Sequence, residues 1–71
     1  MTKKDLVLKL KGFVEEEQWG VEDYTELLQQ VKSNEQFSSF LTEIIKDERD
    51  HIKMLQCMIE KIKKPEKIKC S

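Results

Sequence analysis

Residues 37–62 of the chain read FSSFLTEIIKDERDHIKMLQCMIEKI. A stripe runs through them at alternating intervals of four and three residues, through Phe37, Leu41, Ile44, Glu48, His51, Leu55, Met58 and Ile62. The first half of the chain repeats this spacing, through Leu6, Leu10, Phe13, Glu17, Gly20, Tyr24, Leu27 and Val31. Such spacing keeps a stripe on one helix face and is typical of left-handed helical bundles. The sequence therefore predicts two long amphipathic helices.

Turn and capping signals divide the chain into these two helices. Ser33-x-x-Gln36 has the spacing of a capping box, and Thr2-x-x-Asp5 offers a weaker helix start. Pro65 cannot continue a helix. The prediction is an all-α antiparallel helical hairpin over residues 1–64. Its helices cover about 3–32 and 35–63, its turn lies at 33–34, and a polar tail covers 65–71.

The length and composition indicate that the hairpin does not stand alone. The chain has 71 residues, of which 38% are apolar and 38% charged. A second set of apolar residues widens both stripes, namely Val21, Leu28, Phe40, Ile45, Ile52 and Ile59. Two helices cannot cover stripes this wide, and so small a chain buries little core by itself. We therefore expect a homodimer, or a higher homo-oligomer, in which two hairpins form a four-helix bundle.

Charge and cysteine content exclude several classes of protein. A net charge of −1 gives no basic excess for a nucleic-acid partner. No apolar run approaches the roughly 18 residues of a membrane span, so no membrane partner is expected. Lys9 and Lys11 interrupt the N-terminal apolar segment, which argues against a secretory signal. Cys57 and Cys70 are too few for a four-cysteine metal site, and the expected setting is cytoplasmic with free thiols.

Three stripe positions carry side chains that are neither apolar, aromatic nor glycine: Glu17, Glu48 and His51. With the turn at 33–34, residues face each other across the hairpin when their numbers sum to about 67. Glu17 therefore lies level with Glu48 and His51, which are three apart and share one helix face. Because a buried, unpaired carboxylate loses several kcal/mol of hydration, these side chains need a compensating partner.

A two-fold dimer would bring together four carboxylates and two imidazoles. This set matches the ferritin-like arrangement of a Glu from each of two helices and a Glu-x-x-His from each of the other two. Four carboxylates balance two divalent ions. Oxygen ligands with one imidazole per ion suit iron, with manganese or zinc as alternatives. The expected cofactor is two iron ions per dimer.

Two stretches carry a family resemblance. EQWGVEDY at 17–24 resembles the first-helix motif of rubrerythrin-like members of the ferritin-like superfamily, and IIKDERDHIKML at 44–55 resembles their second-helix motif. The resemblance implies that Glu17, Glu48 and His51 ligate metal and that Tyr24 donates a hydrogen bond behind the ligands. A two-helix chain is similar to the short encapsulated ferritins, which build their site between subunits. No rubredoxin cysteines and no recognisable shell-addressing peptide are present.

Three functions are compatible with these residues. The first, which we favour, is a di-iron redox protein that oxidises Fe(II) or reduces peroxide or dioxygen, as a ferroxidase or a rubrerythrin-like peroxidase does. It would act in iron handling or in protection from oxidative stress. The second is a metal-binding or storage subunit without turnover. The third is a structural hairpin that binds another protein and no metal. An electron donor or an encapsulating shell is not identifiable from the sequence.

Overall fold

The structure is a computed structural model, and it describes residues 1–65. Two helices account for nearly all of them, α1 over Lys3–Gln30 and α2 over Glu35–Lys63. The chain forms these helices because it is rich in Leu, Lys, Glu and Gln, with only Gly12 and Gly20 as weak helix formers inside α1. The described residues contain no strand, and the two helices pack against each other as an all-α hairpin.

The start of α1 agrees with the prediction from the sequence, whereas the turn between the two helices differs from it. At the start of α1, Thr2 and Asp5 form the capping box, with the Asp5 N–H donating to Thr2 Oγ1 over 3.0 Å. The turn differs, because α1 ends at Gln30 and the cap of α2 is Asn34 rather than Ser33. The Phe37 N–H donates to Asn34 Oδ1 over 3.0 Å. The Asn34 N–H bonds to the Val31 carbonyl at 2.8 Å, which places Ser33 inside the turn.

The hairpin is a single layer of two helices. Its principal extents are 47 × 23 × 13 Å, so it is one helix thick in its smallest direction. The buried apolar side chains among the described residues are Leu10, Leu41, Ile45 and Ile59. Many other stripe residues stay largely exposed, since a single layer offers them nothing to pack against. The dry core is therefore a thin seam between α1 and α2.

Two further features of the described residues are the hydropathy of the helices and the state of Cys57. Within residues 1–65, neither helix is long and apolar enough to cross a membrane. Cys57 is disulfide-bonded, so the expectation of a free thiol at this position is wrong. The spacing alone did not indicate this bond, because the sequence contains no paired cysteine motif. Cys70 and the predicted polar tail beyond Pro65 lie outside the described residues.

Candidate metal centre

Two apolar grooves run along one face of the hairpin. The first, with a volume of about 290 Å³, is lined by Phe13, Glu16, Glu17, His51, Met54, Leu55 and Met58. The second, with a volume of about 320 Å³, lies nearer the turn and is lined by Leu27, Val31, Phe37, Phe40 and Leu41. We call the side that carries both grooves the groove face. Glu17 and His51 belong to the wall of the first groove, so the candidate metal centre opens onto this face.

Glu17, Glu48 and His51 come together as the stripe spacing predicts. One ligand atom from each of the three side chains lies within 4.8 Å of the others. His51 Nδ1 is 3.6 Å from Glu17 Oε1, and the two side chains are 53% and 26% exposed. Glu17 comes from the middle of α1, whereas Glu48 and His51 project from adjacent turns of α2. The helix packing therefore forms a three-ligand cluster within one chain.

One atom of this cluster has no partner among the described residues. Glu17 Oε2 is buried from solvent, and no neighbouring group donates a hydrogen bond to it while both glutamates are ionised. A buried carboxylate oxygen without a donor loses its hydration with no compensation, which costs free energy. A bound cation would supply that compensation. The donor set of two carboxylates and an imidazole therefore fits a divalent metal ion by its chemistry as well as by its geometry.

The electrostatics of Glu48 indicate how closely the two carboxylates approach each other. The pKa of Glu48 is raised above its ordinary value of 4.5, first by a hydrogen bond with the Glu17 carboxyl group and then by burial. The negative charges of Glu17 and Asp47 raise this pKa further, while His51 lowers it. A proton shared between two acids is the metal-free substitute for a bound cation. The two carboxylates therefore favour a positive charge between them, either a shared proton or a bound cation.

Gly20 leaves the space that the Glu48 carboxylate occupies. A Cβ placed on Gly20 would lie 2.5 Å from Glu48 Oε2 and 3.5 Å from Glu48 Cδ. Such a separation from the oxygen is too short for any real side chain, so only glycine allows this position of the carboxylate. The stripe places Gly20 three residues after Glu17, and the structure identifies the Glu48 carboxylate as its neighbour.

Tyr24 lies on α1 two helical turns beyond Glu17 and is partly buried. In the part of the chain that the structure describes, its hydroxyl makes no hydrogen bond to the cluster. Its predicted role behind the ligands stays a prediction. Met54, by contrast, was not singled out from the sequence although it lines the first groove and is 64% exposed. The helical spacing could have indicated Met54, because it lies three residues after His51 and fourteen after Phe40, which places all three on nearly the same side of α2.

The chain was also compared with known proteins. No protein-family model, no curated protein and no solved structure matches it. The resemblance to rubrerythrin-like proteins therefore depends on the motif residues alone.

Proposed function

We propose that two copies of this chain pack through their groove faces into a ferritin-like four-helix bundle and bind two metal ions between them. Glu17, Glu48 and His51 of each copy would supply the ligands. The observation that carries the proposal is the three-ligand cluster around the buried, unpartnered Glu17 Oε2. Iron is the metal that best suits four carboxylates with two imidazoles when the site also performs redox chemistry.

The exposed apolar side chains support the dimer. Seven of them lie on the groove face: Phe13, Leu27, Phe37, Phe40, Ile44, Met54 and Met58. Each is between 37% and 64% exposed in the single hairpin. Covering such a side chain contributes roughly 1 kcal/mol or more. Summed over two copies, this is comparable to the roughly 4–15 kcal/mol that association costs in lost freedom of motion.

The chemistry follows from the ligand set. Bound iron would supply one-electron oxidation and reduction, and the carboxylates would favour its ferric form by offsetting the additional positive charge. The residues of this chain then have distinct tasks. Glu17 and Glu48 hold the charge of the metal ion, and His51 places its imidazole toward the groove face, where the second copy would close the site. The apolar grooves on either side would exclude water from the centre and strengthen its electrostatic interactions.

The function would be oxidation of Fe(II), or reduction of peroxide or dioxygen at the same centre. The test begins with protein purified in the presence of Fe(II) under argon. We expect a dimer with about one iron per chain, together with a gain in ferric absorbance on addition of air or peroxide. His51→Ala should remove the bound iron, whereas Glu43→Gln, which changes an exposed carboxylate elsewhere on α2, should leave it unchanged.

Other results would indicate other functions. Iron that binds without reacting with either oxidant would indicate storage or metal binding without turnover. A protein that takes up no metal and whose melting temperature is insensitive to chelators would contradict the metal centre and indicate a structural hairpin.

A further inference from the structure

A third groove lies at the open end of the hairpin, where the start of α1 meets the end of α2. Its volume is about 390 Å³. Four lysines line it, namely Lys3, Lys4, Lys11 and Lys63, so we call it the lysine groove. No residue of its lining belongs to either groove of the groove face. Neither the dimer nor the metal centre proposed above therefore makes use of it.

The apolar part of the lysine groove consists of Val7, Leu8 and Ile62. Val7 and Ile62 are half-buried and form its floor, whereas Leu8 is 57% exposed. Lys4 and Lys11 lie four residues before and three residues after Leu8, so the three side chains share one side of α1. The groove is thus an open apolar surface bordered by positive charge.

The positive charge of the lysine groove is not neutralised within the described hairpin. The residues of its lining include four lysines and no acid. Among residues 1–65, none of these lysines forms an ion pair with a carboxylate. Lysine side chains lay their alkyl stems along apolar surface and keep the ammonium group in water. A ligand in this groove therefore meets apolar surface along its length and ammonium groups at the rim.

The size of the lysine groove favours a small ligand over a helix of another protein. Lys3 and Lys11 are about 12 Å apart along α1, and a helix about 10 Å across would fill roughly 900 Å³ over this length. That is more than twice the volume of the groove, about 390 Å³. A single alkyl chain is far thinner than a helix. Residues 66–71 of the chain contain two lysines and one glutamate, so their charge does not complement the groove either.

We infer that the lysine groove binds the anion of a fatty acid. The alkyl chain would lie on Val7, Leu8 and Ile62, and the carboxylate would lie among the lysine ammonium groups. The second groove, nearer the turn, provides a comparison within the same molecule, because it is of similar size, about 320 Å³, and the described residues of its lining are all apolar. Only an anion gains electrostatic attraction by choosing the lysine groove. The inference requires neither a metal ion nor a second copy of the chain.

The test is a nuclear magnetic resonance titration of the isotope-labelled full chain, in the presence of a chelator, with sodium decanoate below its micelle concentration. Decanoate should shift the amide signals of Val7, Leu8 and Ile62 in a saturable manner. It should bind the second groove, monitored at Leu27 and Phe37, at least about fivefold more weakly. Decyltrimethylammonium has the same alkyl chain and a positive head group, and it should bind the lysine groove at least about tenfold more weakly than decanoate. Equal affinity for the two amphiphiles would overturn the inference.

Substitutions separate the lysine groove from the general charge of the open end. Lys4→Gln combined with Lys11→Gln should raise the dissociation constant of decanoate by about fivefold to tenfold. Leu8→Ser should raise it by about threefold to fivefold through the loss of apolar contact. Lys9→Gln is the matched control, because it removes the same charge from the same end of α1 and Lys9 does not line the groove. Its effect should stay below about twofold. A control that weakens binding as much as the double variant would overturn the site.

Two further arms distinguish other outcomes. Vesicles of phosphatidylcholine and phosphatidylserine in about equal amounts test for attraction to an anionic membrane surface. Cosedimentation with these vesicles without saturable binding of decanoate would overturn the inference in favour of a membrane, and the absence of both would overturn it as well. His51→Ala should leave the affinity for decanoate unchanged although it removes the proposed metal, so either proposal can fail without the other.

Discussion

Replacing Gly20 by alanine separates the stability of the fold from the geometry of the proposed metal centre. The added Cβ would lie 2.5 Å from Glu48 Oε2, whereas ordinary contact begins near 3.4 Å. The carboxylate must therefore withdraw by about 1 Å, which a flexible glutamate side chain can do at small conformational cost. Metal ligands tolerate shifts of only about 0.2 Å, so Glu48 would no longer ligate in its original position.

Two magnitudes of opposite sign follow from this substitution. Alanine is the better helix former by about 1 kcal/mol in a helix interior, so the metal-free protein should be as stable as the wild type or more stable. Metal affinity should fall by about 10- to 100-fold, the range found when the support of a ligand is lost. A mutation that merely damaged the fold would lower both quantities.

Gly12→Ala provides the matched control. A Cβ on Gly12 would have no neighbour within 4 Å, yet the helix and the substitution are the same. Urea unfolding in the presence of a chelator should show a similar gain in stability for both variants. Competition with a chromophoric chelator should show weakened metal binding only for Gly20→Ala. Equal metal affinity in the two variants would refute the assignment of Glu48, as positioned against Gly20, to the metal centre.

Three further predictions follow from the structure. The pKa of Glu48 in the folded protein is raised above 4.5, its ordinary value. Glu48 therefore stabilises the fold at pH values below 4.5, and this stabilisation is lost as the pH rises through the raised pKa. Glu48→Gln should flatten this pH dependence and raise the free energy of unfolding of the metal-free protein at pH 7, and it should abolish metal binding. A lower free energy of unfolding of the variant in urea would contradict this prediction. Phe13→Ser should weaken the dimer by about 2–4 kcal/mol in sedimentation equilibrium, whereas Leu8→Ser, at an equally exposed position away from the groove face, should change it little. Asn34→Ala should lower the free energy of unfolding by about 1 kcal/mol because it removes the cap of α2, and a larger loss from Ser33→Ala would be inconsistent with the observed turn.

Much of this fold could be predicted from the sequence because the 4-3 stripe is long and regular. Both helices lie where the stripe runs, and the level of Glu17 opposite Glu48 and His51 follows from the turn position. The cap of α2 was misplaced by one residue because Ser33 and Asn34 are both good caps, and only the backbone path through the turn decides between them.

Other features depend on three-dimensional contacts that no spacing rule supplies. The stripe places Gly20 near the centre, but only the packed helices show that it faces the Glu48 carboxylate. The disulfide state of Cys57 could not be read from two isolated cysteines. The stripe also could not distinguish residues that pack between α1 and α2 from those left open. Leu41 is buried, whereas Phe37, one turn earlier on the same stripe, is 52% exposed.

The central claim is that two copies of this chain share a two-metal centre. Native mass spectrometry of the protein loaded with Fe(II) under argon tests it most directly, because one spectrum reports the number of chains and the number of bound ions together. The account predicts a dimer carrying two iron ions, and a metal-free species after His51→Ala. A monomer that binds iron by itself, or a dimer that binds none, would contradict it.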